Sequence, residues 1–246
     1  MPKHKKMNRK SNNPDTPLIE HIEALRQMLL RSICAIALLS PAGFFLAPKF
    51  IDFLVKNSIS QNAAKLHYFS PMEVFVIQLK IGIIIAFALA FPYVVYEVRK
   101  FVLPALYENE KKFLGTFILS STSLFLLGAA FCVFAILPLI MKFSLGFANE
   151  NIEATLGLNN FISLSGALLL AFGLMFQFPL IVIALVKFDV VEISTLINLR
   201  PYIIVVILIL AAIFTPPDVI SQIMLALPTW LLYEAGLLIA KRIKGS

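Results

Sequence analysis

Six long stretches without a charged residue dominate this chain. They are 17, 16, 29, 33, 17 and 15 residues long and cover residues 32–48, 81–96, 113–141, 154–186, 201–217 and 219–233. An α-helix rises about 1.5 Å per residue, so the hydrocarbon core of a bilayer, about 30 Å thick, needs about 20 helical residues. Two stretches are long enough by themselves, and flanking residues extend the others. The pattern therefore predicts an all-α, polytopic integral membrane protein with six transmembrane helices.

Proline, glycine and charged residues set the expected limits of the six spans. We place the spans at about 28–46, 73–102, 112–142, 161–187, 201–214 and 219–240. Pro41 and Gly43 are expected to bend the first span, and Pro138 is expected to distort the far end of the third, because proline removes a backbone donor inside a helix. The connection at 47–72 is the longest, and its own apolar residues favour a short interfacial helix there.

The last two spans are expected to be short. Only residues 201–214 separate Arg200 from the break at Thr215-Pro216-Pro217, and Pro228 and Glu234 interrupt the stretch that follows. Two short spans and a re-entrant hairpin whose tip stays inside the bilayer both fit this pattern. Local thinning of the bilayer would accommodate either arrangement.

Composition supports a membrane protein and excludes other classes. Hydrophobic residues make up 59% of the 246 positions and charged residues only 14%, with a mean hydropathy of +0.88. Soluble domains carry about 45–50% apolar and about 25% charged residues, so nucleic-acid modules, disulfide scaffolds and cytosolic enzymes are excluded. Cys34 and Cys132 lie in apolar segments, where free cysteine packs as a small hydrophobe. The sequence carries no nucleotide-binding or metal-binding motif, so we expect no cofactor, no metal and no catalytic residues.

The distribution of Lys and Arg predicts the orientation. With six spans and a cytoplasmic amino terminus, sixteen of the 21 basic residues fall on the cytoplasmic side and four on the opposite side. This excess follows the positive-inside rule and predicts that both termini are cytoplasmic. Lys80 lies within the second span; it can extend to the interface, and Glu73 on the same helix face is a candidate partner. We divide the chain into a disordered basic tail (1–15), a single six-helix transmembrane domain (16–240) and a short basic cytoplasmic tail (241–246).

Three polar residues are costly where the spans place them. Gln177 lies near the middle of the fourth span, where its amide must form hydrogen bonds, either to a neighbouring helix or towards a cavity. Asp218 and Gln222 lie four residues apart, on one helix face, just after the double proline. An aspartate in that place is also a natural N-cap.

Two segments on the predicted cytoplasmic side carry residues suited to recognition. Thr16-Pro17 begins an amphipathic helix, for which an interfacial lead-in to the first span is the simpler interpretation. Its apolar stripe consists of Leu18, Ile22, Leu25 and Leu29. In the first cytoplasmic turn, Phe101 and Glu110 flank Pro104. Exposed glutamates usually only contact water, but a phenylalanine near a carboxylate can bind an arginine by cation–π stacking and a charge-assisted hydrogen bond.

Six short motifs follow one another along the chain. They read PLIEHIEALR (17–26), SPME (70–73), FPY (91–93), FVLPALYENE (101–110), AFG (171–173) and FTPPDVISQ (214–222). In this order, from Pro17 to about Ala240, they resemble the TatC family, the membrane receptor subunit of the twin-arginine protein translocase. Each motif alone is weak, and the ordered set on a six-span plan is specific.

The resemblance implies a function that composition does not show. It implies binding of the Arg-Arg signal peptides of folded cargo and, with TatA/TatB-type single-span partners, transport of that cargo across the inner (cytoplasmic) membrane by the proton-motive force. The residues that match the family's signal-peptide-binding segments are Phe101, Glu110, Leu18, His21, Leu25 and Arg26. The resemblance also implies intramembrane polar or partner contacts at Gln177, Asp218 and Gln222. The expected assembly is a homo- or hetero-oligomer in the lipid bilayer, without nucleic acid.

Two residues depart from the family pattern. Ala24 stands where many members have glutamate, and the neighbouring Glu23 lies about 100° away around the helix. Gln177 also replaces a common glutamate, and a neutral amide cannot carry charge. Two other classes remain as alternatives. A small-solute channel or secondary transporter would place ionisable residues across the midplane, and an inert structural subunit would need no recognition residues.

Overall fold

Helices form nearly all of the described part of the chain. The computed structural model describes residues 16–59, 66–102, 111–146, 156–214 and 219–244. The helices are α1 (Thr16–Ser58), α2 (Pro71–Val102), α3 (Lys111–Phe131), a π-helical turn (Cys132–Ile136), α4 (Leu137–Leu145), α5 (Leu158–Met175), α6 (Phe178–Lys187), α7 (Ile193–Asn198), α8 (Arg200–Phe214) and α9 (Val219–Lys244). Two short strands, β1 (Leu66–His67) and β2 (Leu156–Gly157), pair in parallel. The all-α prediction is confirmed.

Six helical segments are apolar enough to belong to a membrane domain. Among the described residues, five segments have both the length and the composition to cross a membrane, and one apolar helix is shorter. The five are His21–Ser58, Pro71–Phe101, Gly115–Leu145, Leu158–Lys187 and Gln222–Ile243, and the shorter one is Arg200–Phe214. The six-span prediction is confirmed, including the short fifth span. The sixth segment is longer than expected, because α9 continues through Pro228 and Glu234 to Lys244.

Helix α1 is much longer than the predicted first span. It has 43 residues and continues through Pro41 and Pro48, so the expected loop with a separate interfacial helix after residue 46 is wrong. The Ser40 hydroxyl donates to the Ala37 carbonyl at 2.8 Å, which satisfies the acceptor that lacks a donor because Pro41 has no N–H. Beyond Pro48, the helix buries apolar side chains such as Leu54, which is fully buried in the core.

The third span contains the distortion expected near Pro138. The chain forms one π-helical turn over Cys132–Ile136, and the N–H of Leu137 donates to the Cys132 carbonyl. In this register the Val133 carbonyl faces Pro138, which has no N–H to donate. The Asn57 side chain of α1 fills that role and donates to the Val133 carbonyl at 2.7 Å. The extension of α1 and the π-helical turn therefore stabilise each other.

The fourth span is broken at its centre. Helix α5 ends at Met175, and α6 begins at Phe178, with Pro179 in its first turn. Proline at 179 cannot donate to the Met175 carbonyl and its ring would clash with that group, so a continuous helix is disfavoured. The span predicted at about 161–187 is present as Leu158–Lys187, but it is interrupted at its centre, so Gln177 lies at the break rather than inside a regular helix.

Lys80 has partners on another helix. Its ammonium group donates to the Asn159 side-chain oxygen at 2.9 Å and to the Ser163 hydroxyl at 3.1 Å. Glu73, the expected partner, instead accepts a hydrogen bond from the Phe69 N–H at 2.8 Å, ahead of the first turn of α2. The Lys80 side chain therefore links α2 to α5, and the predicted partnership with Glu73 is wrong.

Candidate functional site

Helices α1 and α2 run side by side in opposite directions and meet at several levels. In the middle, Gly43 and Gly82 bring the two backbones together so closely that a Cβ atom on Gly43 would overlap the Gly82 carbonyl. Small residues permit such close approach of helices in membranes. Towards the start of α1 and the end of α2, the pair continues with polar and aromatic contacts. The contacts between α1 and α2 therefore continue as far as the segments predicted for recognition.

Among the described contacts between the two helices, the one nearest the start of α1 and the end of α2 is a ring stack. The imidazole of His21 lies on the ring of Phe101, with centroids 4.5 Å apart and planes inclined by 26°. These residues are separated by 80 positions in the sequence and were both selected as recognition candidates. The structure brings them into direct contact. His21 is exposed and Phe101 half-buried, so the stack is accessible to a ligand.

The other recognition candidates occupy the first turns of α1 or lie outside the described residues. Leu25 is 38% exposed and shares the predicted stripe with Ile22, 66% exposed. The Arg26 guanidinium pairs with Glu23 at 3.5 Å, and both side chains are exposed, so this pair contributes little stability. Leu18 lies within α1. Glu110 lies outside the described residues.

Sequence reasoning missed a buried acid next to this site. Glu97 is only 5% exposed. It accepts a hydrogen bond from the Tyr93 hydroxyl at 3.1 Å and pairs with Arg31 of α1 at 3.5 Å. The sequence did contain a signal for this pair. Arg31 precedes the charge-free stretch 32–48, and Glu97 follows the stretch 81–96. Because these two spans are consecutive and antiparallel, both residues fall on the same predicted side of the membrane. Equal depth and opposite charge predict such a pair.

Gln177 joins two spans. Its side-chain oxygen accepts a hydrogen bond from the Ser121 hydroxyl of α3 at 2.6 Å, and its amide donates to the Ser121 carbonyl at 3.1 Å. The amide also approaches the Gly173 carbonyl at 3.4 Å. Of the two alternatives, the structure has the interhelical hydrogen bond. The helix break at Phe176–Gln177 allows the side chain to reach α3.

Gln222 makes a similar connection at the other end of the bundle. Its amide donates to the Leu208 carbonyl of α8 at 3.0 Å, so α8 and α9 are joined by a polar contact within their apolar interface. Asp218, expected on the same face, lies outside the described residues. One side of α8 remains exposed, and the exposed residues there are Tyr202, Val205, Val206, Ile209 and Ile213.

A largely apolar cavity of about 430 Å³ opens between four helices. Phe50 of α1, Ile84 of α2, Phe125 of α3 and Leu169 of α5 contribute to its wall, and Lys49 is also part of it. Gln177 does not line this cavity. A concave apolar surface of this size suits an apolar ligand or peptide segment.

The fold and these contacts define a polytopic α-helical membrane protein with an aromatic and charged site where its first two helices meet. The model of the family described as Sec-independent protein translocase protein (TatC) matches residues 20–228. The chain therefore belongs to the TatC family, which confirms the resemblance seen in its motifs.

Curated relatives and solved structures agree with this assignment. The chain is 36% identical to the Sec-independent protein translocase protein TatC of Aquifex aeolicus over 229 residues, which cover 92% of this chain and 95% of the relative. It is 33% identical to the TatC protein of Haemophilus influenzae over 227 residues, 92% of this chain and 89% of the relative. A crystal structure of the twin-arginine translocase receptor TatC superposes with a TM-score of 0.82 at 34% identity, covering 90% of this chain and 98% of that one.

Proposed function

We propose that this chain is the receptor component of a twin-arginine translocation system. It binds the Arg-Arg signal peptides of folded cargo and, with TatA/TatB-type single-span partners, moves that cargo across the inner membrane by the proton-motive force. The observation that carries the site assignment is the stack of His21 on Phe101, because it joins the two segments that the motifs assign to recognition. We name the six residues of this site the recognition surface: Leu18, His21, Leu25, Arg26, Phe101 and Glu110.

The chemistry of the recognition surface suits an arginine pair. A guanidinium group can stack on an aromatic ring, which contributes about 0.5–1 kcal/mol at an exposed site. A carboxylate such as Glu110 accepts charge-assisted hydrogen bonds from a second guanidinium, and exposed pairs contribute about 0.2–1 kcal/mol. These energies are small. They are sufficient to discriminate between signals but too small to provide tight binding.

The apolar part of the signal supplies the remaining affinity in this proposal. Leu89, in the wall of the apolar cavity, precedes Phe101 by twelve residues on α2. That spacing corresponds to about 18 Å of helix. One peptide can therefore place its arginines at the recognition surface and its apolar stretch at the cavity. Charge then sets specificity, and burial of apolar area sets affinity.

The orientation and the partner contacts belong to the same proposal. Both termini are cytoplasmic, as the sixteen-to-four distribution of basic residues indicates, and the recognition surface then faces the cytoplasm, where folded cargo is present. A single-span partner packs on the exposed apolar side of α8, near Gln222. We assign Asp218 to the same partner interface, whereas Gln177 serves as an intramembrane polar contact between the third and fourth spans.

Site-specific crosslinking tests the recognition surface. We expect Glu110→Ala and Glu110→Arg to reduce crosslinking of the full-length protein to an Arg-Arg signal peptide, with the larger loss for the reversed charge. Glu108→Ala, two residues earlier in the sequence, is the matched control and should crosslink normally. Undiminished crosslinking in both Glu110 variants would remove Glu110 from the site.

Export in cells tests the function itself. Deletion of the gene should abolish export of a folded reporter that carries an Arg-Arg signal, and supplying the chain again should restore it. A reporter with a Lys-Lys signal serves as the reference. Unchanged Arg-Arg export after deletion would contradict the proposed function.

A further inference from the structure

The ion pair between exposed Arg31 of α1 and buried Glu97 of α2 lies next to the recognition surface without belonging to it. We propose that Glu97, paired with Arg31, is a positioning residue for signal recognition: it holds the first turns of α1 against the end of α2, so that His21 and Phe101 remain stacked. This inference rests on the proposed function, because it assigns a role in forming the same site.

Burial makes the Glu97 carboxylate dependent on its partners. At 5% exposure it has lost nearly all contact with water, and a charged group in such a place requires hydrogen bonds or an opposite charge. The Tyr93 hydroxyl satisfies it within α2, at 3.1 Å, and Arg31 satisfies it from α1, at 3.5 Å. Any displacement of α1 away from α2 would remove the positive charge and leave the acid buried without it. The pair therefore resists separation of the two helices at this level.

The position of the pair gives it control over the ring stack. Glu97 and Phe101 are four residues apart, on the same face of α2. Arg31 lies ten residues after His21, about 15 Å along α1. The other polar contacts described in the first turns of α1 are local, since Arg26 and Gln27 both bind Glu23 of the same helix. Such contacts stiffen the helix but do not attach it to α2.

The test uses the full-length protein in lipid nanodiscs and a fluorescent synthetic Arg-Arg signal peptide. Glu97→Gln keeps the size of the side chain and one acceptor oxygen, which can still accept from the Tyr93 hydroxyl, and removes the charge that pairs with Arg31. We expect it to weaken peptide binding by at most about 5-fold, the loss expected when the Phe101 contact is removed altogether. The matched control is Glu234→Gln, which removes the charge from another interhelical pair, the 2.7 Å bridge from Arg200 of α8 to α9. The control should bind the peptide as the unmodified protein does.

A distance measurement separates positioning from direct contact with the peptide. Spin labels at exposed Gln27 of α1 and Leu119 of α3 report how firmly the start of α1 is held. The Glu97→Gln variant should broaden the distance distribution without peptide, and Glu234→Gln should not. Weakened binding with an unchanged distribution would overturn the positioning role, since Glu97 would then act on the peptide itself. Unchanged binding would overturn it as well.

Exchanging the charges of Arg31 and Glu97 provides a second, independent test, which also applies if the Glu97→Gln variant does not fold. Arg31→Glu alone places two acids together, whereas Arg31→Glu with Glu97→Arg restores opposite charges at the same place. Recovery of binding and of a narrow distance distribution in the double variant supports the inference. Equal defects in the single and double variants overturn it.

Phe101→Ala in the same assay keeps the two proposals distinguishable. Normal binding by Phe101→Ala and by Glu110→Ala would contradict the proposed site. Defective binding by those variants together with normal binding by Glu97→Gln would contradict only the positioning role.

Discussion

Replacement of Gln177 by leucine tests whether the polar contact in the fourth span stabilises the bundle. Gln177→Leu keeps a side chain of similar size and removes both hydrogen bonds to Ser121 of α3, at 2.6 and 3.1 Å. Ser121 is 3% exposed, so water does not readily replace the lost partner. The substitution should therefore loosen the contact between the third and fourth spans.

The expected loss follows from interhelical hydrogen bonds measured in membranes. Such bonds contribute about 0.6 kcal/mol on average and about 1.7 kcal/mol at most. Two bonds with short distances predict a loss of about 1–2 kcal/mol in the free energy of unfolding. The control is Thr122→Val, which removes a hydroxyl that donates at 2.8 Å to the Ile118 carbonyl of its own helix. That change breaks no interhelical bond and should cost less than about 0.5 kcal/mol.

Reversible unfolding in mixed micelles measures both variants under identical conditions. Which of the two variants loses more unfolding free energy matters more than the absolute losses, because the surroundings of a hydrogen bond change its contribution by factors of two or three. If Gln177→Leu cost no more than Thr122→Val, the contact with Ser121 would not stabilise the bundle, and a role towards a ligand or partner would become the better explanation of Gln177.

Two further substitutions test the packing of α1. Gly43→Ala places a methyl group against the Gly82 carbonyl and should cost about 1–3 kcal/mol in unfolding free energy. Gly115→Ala, whose Cβ would meet nothing within 4 Å, should not destabilise the protein, because alanine is the better helix former; equal effects would contradict the close helix approach. Asn57→Leu leaves the Val133 carbonyl without its side-chain donor and should cost about 1–3 kcal/mol, measured by the same unfolding; an unchanged stability would show that the π-helical turn does not need α1.

The sequence was most informative where local rules decide the structure. The spans predicted at 73–102 and 201–214 agree with α2 and α8 almost to the residue, and the limits of α8 are local, with Arg200 at its start and the double proline after its end. The distortion before Pro138 was also foreseeable, because proline always removes one donor. The same rule applied to Pro179 would have predicted the break at Gln177.

Errors arose where distant residues decide the structure. The first span was expected to end near residue 46, but α1 continues because Leu54 is buried in the core and Asn57 meets a carbonyl 76 residues away. The candidate partner of Lys80 was Glu73 on its own helix, whereas its partners lie on α5. Such contacts depend on which helices become neighbours, and a single sequence does not specify that directly.

The candidate site also combines features that local sequence motifs predict with features that depend on contacts between distant residues. Motifs selected His21 and Phe101 separately, and only the packing of α1 against α2 places one ring on the other. Glu97 carried no motif at all. Its importance follows from its burial beside Arg31, which is a property of the folded protein.

The most direct test of the central claim is a binding titration of the purified chain with Arg-Arg and Lys-Lys signal peptides that are otherwise identical. We expect tighter binding of the Arg-Arg peptide, and a loss of about 2- to 5-fold in that affinity in Phe101→Ala, which corresponds to about 0.5–1 kcal/mol of cation–π stacking. Equal affinity for the two peptides, unchanged in Phe101→Ala, would contradict the central claim.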